Sequence, residues 1–162
     1  MTGSVVQVNI SGGGVPKHAI AAGTVTRLGV EGDAHAHPQI HGGPLQAVLL
    51  ITAEGIAELA ALGFPIEAGS LGENITTSGI DRRAFRSGQR WRIGADVVLE
   101  ITKRRAPCAT LNAYGPKIQR AVFDPLMQDG DPASPRWGLS GMYASVVKAG
   151  VIRPGDPIEL CK

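Results

Sequence analysis

The sequence contains few cysteines and few aromatic residues, and both shortages exclude classes of protein. Its two cysteines, Cys108 and Cys161, give no disulfide framework and cannot supply the four thiolates of a usual iron–sulfur cluster. It has three Phe, two Trp and two Tyr, and no basic stripe interleaved with aromatic residues, so no nucleic-acid partner is expected. Any electron chemistry must therefore use another bound cofactor or a partner protein.

Long hydrophobic runs and a strong excess of one charge are also missing. The longest apolar run, at residues 47–51, is far shorter than the roughly 20 residues that cross a bilayer. Residues 1–10 lack the basic leader and the apolar core of a secretory signal, and the formal net charge is only +2. We therefore expect a cytoplasmic protein without a membrane partner.

Glycine and proline are abundant, at 22 and 11 of 162 residues, which favours short strands joined by tight turns. Strands are predicted at residues 5–10, 23–30, 45–51, 89–93, 96–102, 142–148 and 157–160. The clearest helix spans residues 53–62, with Thr52 as its N-cap. Strands do not alternate with long helices. The sequence thus predicts one mainly β domain over residues 1–162, a barrel or a sandwich with one clear helix and short irregular helices.

Several finer expectations follow from local patterns. In the strand at residues 96–102, Val97, Leu99 and Ile101 share one face and should be buried. In the helix, the side chains spaced for one apolar face are Ile56, Leu59, Ala60 and Leu62. Residues 128–136 are rich in Asp, Pro, Ser and Gly and should form a mobile surface loop. The residues expected to form a solvated basic face are Arg82, Arg83 and Arg86.

Cys108 has the strongest local argument for a chemical role. It follows a strand end and the sequence Arg104-Arg105-Ala106-Pro107, and Pro107 suits the first turn of a helix. A helix dipole and nearby arginines both favour the thiolate, the form that binds metals and attacks electrophiles. The alternative is that Cys108 is a small buried hydrophobic residue. Cys161 is expected to be an incidental thiol.

Two polar segments are candidate ligand sites with open alternatives. His35, His37 and His41 could hold zinc, or His35 and His37 could be solvated in a polar loop, while Gly42-Gly43 after His41 indicates a tight turn. Residues 11–14, Ser-Gly-Gly-Gly, together with Lys17, resemble an anion cradle, and a flexible hairpin is the equal alternative.

Six short segments, in this order, resemble the MOSC family, which is named from the C-terminal part of molybdenum cofactor sulfurases. The segments are residues 13–17, 32–33, 41–43, 71–75, 105–108 and 150–156. They include Leu-Gly-Glu-Asn-Ile at residues 71–75 and Arg-Ala-Pro-Cys at residues 105–108. Each segment alone is weak, but six in the family's order are specific and span almost the whole chain.

The resemblance implies a MOSC-type β-barrel with a cleft for the pyranopterin molybdenum cofactor, and Cys108 as the thiolate ligand of the metal. Lys17, Asn74 and Arg105 would hold the anionic pterin and its phosphate, and Gly72 and Glu73 would shape the wall beside them. The cofactor-binding residues that it implies are Lys17, His41, Gly72, Glu73, Asn74 and Arg105. A soft thiolate suits molybdenum, and an anionic ligand needs such cationic donors.

The resemblance is nearest to stand-alone bacterial proteins similar to the amidoxime-reducing component. It implies an oxidoreductase that reduces N-hydroxylated compounds with electrons from a separate flavin or iron–sulfur protein. The alternative is a carrier in which Cys108 holds a persulfide or the cofactor for an accepting enzyme, and a zinc-binding module is a weaker third hypothesis. No pyridoxal phosphate is expected, because the pyridoxal-phosphate domain of full sulfurases is absent from this chain. Ala109-Thr110 follow the cysteine where relatives often carry an aromatic or basic residue, which bears on substrate preference.

Overall fold

Strands make up most of the regular structure in the computed structural model, which describes residues 1–34 and 42–162. The strands are β1 Thr2–Ile10, β2 His18–Ile20, β3 Gly23–Thr26, β4 Gly29–Val30, β5 Val48–Thr52, β6 Ile75–Ser78, β7 Arg90–Ile93, β8 Val97–Arg104, β9 Met142–Lys148, β10 Gly150–Ile152 and β11 Pro157–Leu160. The α-helices are α1 Ala53–Ala61, α2 Ile118–Val122 and α3 Pro125–Gln128, and short 3-10 helices lie at Pro44–Gln46, Arg82–Ala84 and Ala109–Tyr114. No helix in these two ranges is long and apolar enough to span a membrane.

Seven of the strands close into a barrel in the order β11-β7-β8-β9-β5-β6-β1, and β1 pairs back onto β11. The pairing of β5 with β6 is parallel, which requires a crossover, and α1 lies within that connection. β2 pairs with the end of β1, while β10, β3 and β4 form a separate small sheet. The prediction of a mainly β, barrel-like fold with few short helices is confirmed.

The β7–β8 hairpin shows how the sequence pattern produces the barrel wall. Val97, Leu99 and Ile101 have no exposed surface, as their alternation predicted. Leu99 lies opposite Trp91 of β7, whose side chain is also fully buried and packs against Phe85 with ring centroids 5.3 Å apart. This side of the barrel is therefore closed by apolar contacts.

The predicted helix forms, but its apolar face is narrower than its sequence indicated. The Thr52 hydroxyl caps it by accepting a hydrogen bond from the Gly55 amide at 3.0 Å, as predicted. Ile56 and Leu59 are buried, whereas Ala60 is exposed and Leu62 is 69% exposed. Including Ala60 and Leu62 in the buried face was wrong. Leu62 follows the last helical residue, where the chain turns away from the core.

Two strand predictions needed correction because turns interrupt the apolar runs. Residues 23–30 form two strands, β3 and β4, since the chain reverses at Leu28, whose amide donates to the Thr26 hydroxyl. Strand β5 begins only at Val48, because Pro44 starts a 3-10 helix that leaves Leu45 68% exposed.

The predicted basic face was wrong in part, whereas the predicted loop lies at the surface as expected. Arg82 is buried, pairs with Glu58 at 2.9 Å and donates to the carbonyls of Pro135 and Trp137, although Arg83 and Arg86 are exposed as expected. Within residues 128–136 only Ser134 is buried, and the Pro135 carbonyl is the one that accepts from Arg82. The contacts of Arg82 could not be predicted from the local sequence, because its partners are distant along the chain.

Candidate functional site

A cleft that is partly open to solvent lies where β8 ends, beside the loop before β6. Six of the side chains or backbone segments that line it are Lys17, Gly72, Asn74, Arg105, Thr110 and Tyr143. Lys17 lies just before β2, Gly72 and Asn74 lie in the loop before β6, and Arg105 follows β8. Thr110 belongs to the 3-10 helix that comes next, and Tyr143 belongs to β9.

Cys108 is not one of the residues that line this cleft, but it contacts one of them. It is half-buried and immediately precedes the 3-10 helix Ala109–Tyr114, and its Sγ lies 2.6 Å from Oγ1 of Thr110, which lines the cleft. Pro107 therefore stands before the helix, not in its first turn as expected. Arg104 donates to the carbonyls of Met127 and Gln128, so its charge is directed away from the thiol. Of the two preceding arginines, only Arg105 lines the cleft.

Arg105 is buried and fixed by its neighbours. Its Nη1 donates to the carbonyls of Leu71 at 2.6 Å and Ser140 at 3.3 Å, while its Nε is buried with no hydrogen-bond partner among the described residues. Because a guanidinium can only donate, Arg105 is the donor in its hydrogen bond to the phenol of Tyr143. Burial raises the pKa of Tyr143, and Arg105 offsets part of this rise.

Lys17 is also buried, but its charge is paired. Its Nζ lies 2.6 and 2.5 Å from the two carboxylate oxygens of Asp33, and the side chains are 8% and 3% exposed. Asn74 donates through Nδ2 to Asp33 at 2.8 Å and to the Asn9 carbonyl at 3.3 Å. Both amide hydrogens of Asn74 are thus used within the protein, and its Oδ1 accepts from the Leu49 amide.

Asp33 contacts Lys17 and Asn74 of the cleft wall, and the sequence analysis assigned no role to it. The Ser11 amide also donates to the Asp33 carboxylate, at 3.0 Å. The carboxylate therefore links three segments of the chain: the glycine-rich turn, the residues just before β2 and the loop before β6. Its presence in the Gly32-Asp33 segment was a signal, but nothing in the sequence showed that Lys17 and Asn74 would converge on it.

Gly72 and Glu73 contribute to the wall in different ways. Gly72 has φ +87°, and a Cβ there would lie 3.0 Å from Cγ1 of Val15, so glycine keeps this part of the cleft open. Glu73 is fully buried behind the wall, where Thr76 donates to Oε2 and Oε1 has no partner among the described residues. Burial raises the pKa of Glu73 to about 7.

The histidine segment lies outside the described residues, so His35, His37 and His41 are not placed by the structure. Ala34, immediately before them, lines the cleft. Within residues 1–34 and 42–162, no group of three or more His, Cys, Asp or Glu side chains could hold a metal ion. Cys161 is exposed beyond the end of β11, where its amide donates to the Arg90 carbonyl of β7.

Comparison with known proteins agrees with the barrel fold. The MOSC domain matches residues 37–159, and the chain belongs to this family, which is associated with the molybdenum cofactor. It is 29% identical to protein YiiM of Escherichia coli (strain K12) over 143 residues, which is 84% of this chain and 58% of that protein. It is 32% identical over 136 residues to a protein named "Reductase" of Gibberella moniliformis, covering 82% of this chain.

The chain spans less than two thirds of these curated relatives, and only 22% of the Gibberella protein. The crystal structure of YiiM from Geobacillus stearothermophilus has the same fold, with a TM-score of 0.73 and 23% identity over 99% of this chain and 75% of that one. The comparisons therefore establish the family and the fold.

The residues of the cleft fit an anionic ligand that carries a soft metal. The half-buried thiol of Cys108 would be the soft donor. The buried Nε of Arg105 has no partner among the described residues, and a ligand or a water would satisfy it. Gly72 leaves the space that a side chain would fill.

Proposed function

We propose that this chain binds the molybdenum cofactor in the cleft, with the Cys108 thiolate as a ligand of the metal, and reduces N-hydroxylated compounds. The observation that carries the proposal is that the cleft collects Lys17, Asn74 and Arg105 from distant parts of the chain, with Thr110 linking it to Cys108. Such convergence of cationic and polar groups on one concave surface is typical of a ligand site.

Each residue would have a separate role in holding the ligand. Arg105 is fixed by the carbonyls of Leu71 and Ser140, so its remaining donors are oriented for the phosphate without a loss of side-chain freedom on binding. Lys17 would add a second donor, and Asn74 would hold the wall in place through its three internal hydrogen bonds. Gly72 would let the pterin approach the backbone.

Reduction of an N–O bond to N–H and water consumes two electrons and two protons. When bound, the cofactor would supply two-electron redox chemistry for the N–O group. Tyr143 lines the same cleft, and its raised pKa keeps the proton on Oη at neutral pH. The phenol could therefore donate a hydrogen bond to the substrate oxygen. The electrons would come from a separate flavin or iron–sulfur protein, because two cysteines cannot hold a usual iron–sulfur cluster.

A carrier is the second candidate, and the half-exposed position of Cys108 favours it. A persulfide or a cofactor held at the edge of the cleft can be reached by an accepting enzyme. In that case the same residues would bind the ligand without turning over a substrate.

Metal and sulfur analysis of the full chain, produced in a host that makes the molybdenum cofactor, separates these hypotheses. Near-stoichiometric molybdenum together with reduction of an N-hydroxylated compound, when an electron donor is supplied, supports the reductase. Molybdenum or sulfane sulfur without turnover supports the carrier. Protein from a host that cannot make the cofactor is the control. Stoichiometric zinc, without molybdenum or sulfane sulfur, would contradict both and point to the histidine segment.

A further inference from the structure

The donors that the sequence suggested as an anion cradle already hold an anion, the carboxylate of Asp33. The Ser11 amide donates to Oδ1 at 3.0 Å, Asn74 donates to Oδ2 at 2.8 Å, and Lys17 contacts both oxygens. Lys17 and Asn74 also line the cleft. The internal carboxylate thus occupies groups that would otherwise face a ligand anion.

The Asp33 carboxylate has no acceptor capacity left for a ligand. A carboxylate offers about four lone-pair positions. Oδ1 accepts from Ser11 and Lys17, and Oδ2 accepts from Asn74 and Lys17. Because the side chain is only 3% exposed, water does not screen its charge effectively. Its effect on a ligand is therefore the effect of its charge, which cancels that of Lys17.

We propose that Asp33 sets the anion affinity of the cleft, because an anionic ligand must compete with its carboxylate for Lys17 and Asn74. The inference rests on the proposed function, in which Lys17 donates to the anionic part of the cofactor and Asn74 positions the wall beside it. Among the described residues that line the cleft, Arg105 is then the cationic side chain without a carboxylate in an ion pair with it. An anion can bind Lys17 only in competition with Asp33. The cleft would accordingly discriminate against weakly charged anions such as chloride or acetate.

The test is binding of inorganic pyrophosphate to the full chain purified without cofactor, measured by titration calorimetry at one pH and ionic strength. Asp33→Asn removes the opposing charge and keeps the size of the side chain, so we expect pyrophosphate to bind about tenfold more tightly, or better, than to the wild type. Glu31→Gln is the matched control. It removes one exposed carboxylate two positions away and should leave the affinity unchanged.

A second pair of variants decides the question even if Asp33→Asn does not fold, since that change leaves a buried lysine without its partner. Lys17→Met leaves Asp33 alone in the wall, whereas the double variant Lys17→Met/Asp33→Asn removes both charges. The double variant should bind pyrophosphate more tightly than Lys17→Met, again by about tenfold.

Equal or weaker binding by Asp33→Asn than by the wild type would overturn the proposal, as would equal binding by the two Lys17 variants. Absence of pyrophosphate binding in every variant would also overturn it. These results are separate from the molybdenum content of the protein. A chain that shows the expected pyrophosphate effects but never acquires molybdenum would contradict the proposed function alone.

Discussion

On the β7–β8–β11 side of the barrel, charged side chains remain outside and form exposed pairs, whereas the wall of the cleft buries them. Arg90 and Glu100 pair at 2.8 Å with 56% and 34% of their side chains exposed. Lys17 and Asp33 pair at 2.5 Å with 8% and 3% exposed. Exposed pairs contribute little to stability, and buried pairs carry a large desolvation penalty.

The difference separates the part of the molecule that stabilises the fold from the part that we propose binds a ligand. Apolar side chains alone close the β7–β8 wall, with Trp91 and Leu99 fully buried. The cleft wall instead contains two buried polar atoms without partners among the described residues, on Glu73 and Arg105. A protein that needed only stability would gain nothing from such atoms, because each costs free energy when it is desolvated.

The largest effect on stability should come from Leu99→Ala on the apolar side. The change leaves a cavity beside Trp91, among side chains that are fully buried. We therefore expect the free energy of unfolding to fall by about 3 kcal/mol. Urea unfolding measures it. Leu45→Ala, at a residue that is 68% exposed, is the control and should change stability by less than about 0.5 kcal/mol. A loss below about 1 kcal/mol for Leu99→Ala would show that the β7–β8 wall contributes little to the stability of the fold.

A smaller, pH-dependent effect is expected for Glu73→Gln in the cleft wall. The folded-state pKa of Glu73, about 7, lies above the usual value of 4.5 for this carboxyl group. Between these pH values the folded chain therefore binds more protons than the unfolded chain, and wild-type stability falls as pH rises from about 4.5 to above 7. The variant lacks this loss. Its stability relative to the wild type should therefore rise by on the order of 1–3 kcal/mol between pH 5 and pH 8.

Thermal or urea unfolding of both proteins at several pH values checks this prediction. Glu67→Gln, which removes an exposed carboxylate near the same loop, is the control and should follow the wild-type pH dependence. Parallel pH profiles for wild type and Glu73→Gln would show that Glu73 is ionised in the folded protein without a penalty.

The same two regions differ in how far the sequence could predict them. On the apolar side, period-two alternation gave the buried face of β8, and the bounds of β9 and β11 were predicted to the residue. Local pattern suffices there, because burial on a strand follows from alternation alone.

In the cleft wall, the sequence suggested the residues but not their contacts. Lys17, Asn74 and Arg105 were candidates through the family resemblance, and the structure brings them to one cleft. Their roles toward a cofactor stay predictions. The Asp33 pair and the burial of Glu73 depend on segments that are far apart along the chain, so no local pattern contains them. Arg82 was misassigned for the same reason, since Glu58 and the Trp137 carbonyl face it only in the folded chain.

The smallest effect should come from Arg90→Ala on the outer face of the barrel. Because the Arg90–Glu100 pair is largely exposed, its loss should change the free energy of unfolding by no more than about 0.5 kcal/mol. High salt should reduce even that difference. Denaturant unfolding at low and high ionic strength provides the measurement. A loss above about 1.5 kcal/mol would place this pair in the stabilising structure and weaken the contrast with the cleft.

The molybdenum content of Cys108→Ser, set beside that of the wild type and of Cys161→Ser, tests the central claim most directly. Serine is nearly the same size as cysteine, and Cys108 is only half-buried. The free energy of unfolding of the variant should therefore lie within about 1 kcal/mol of the wild-type value. A hydroxyl is a hard ligand and cannot replace a soft thiolate at molybdenum. All three proteins would be produced in the same cofactor-competent host.

We expect Cys108→Ser to fold normally, to lose much or all of its molybdenum and to lose N-hydroxy reduction, while Cys161→Ser retains both. Full molybdenum content and full turnover in a folded Cys108→Ser protein would contradict this expectation. An unfolded variant would instead show that Cys108 is a packing residue of the core.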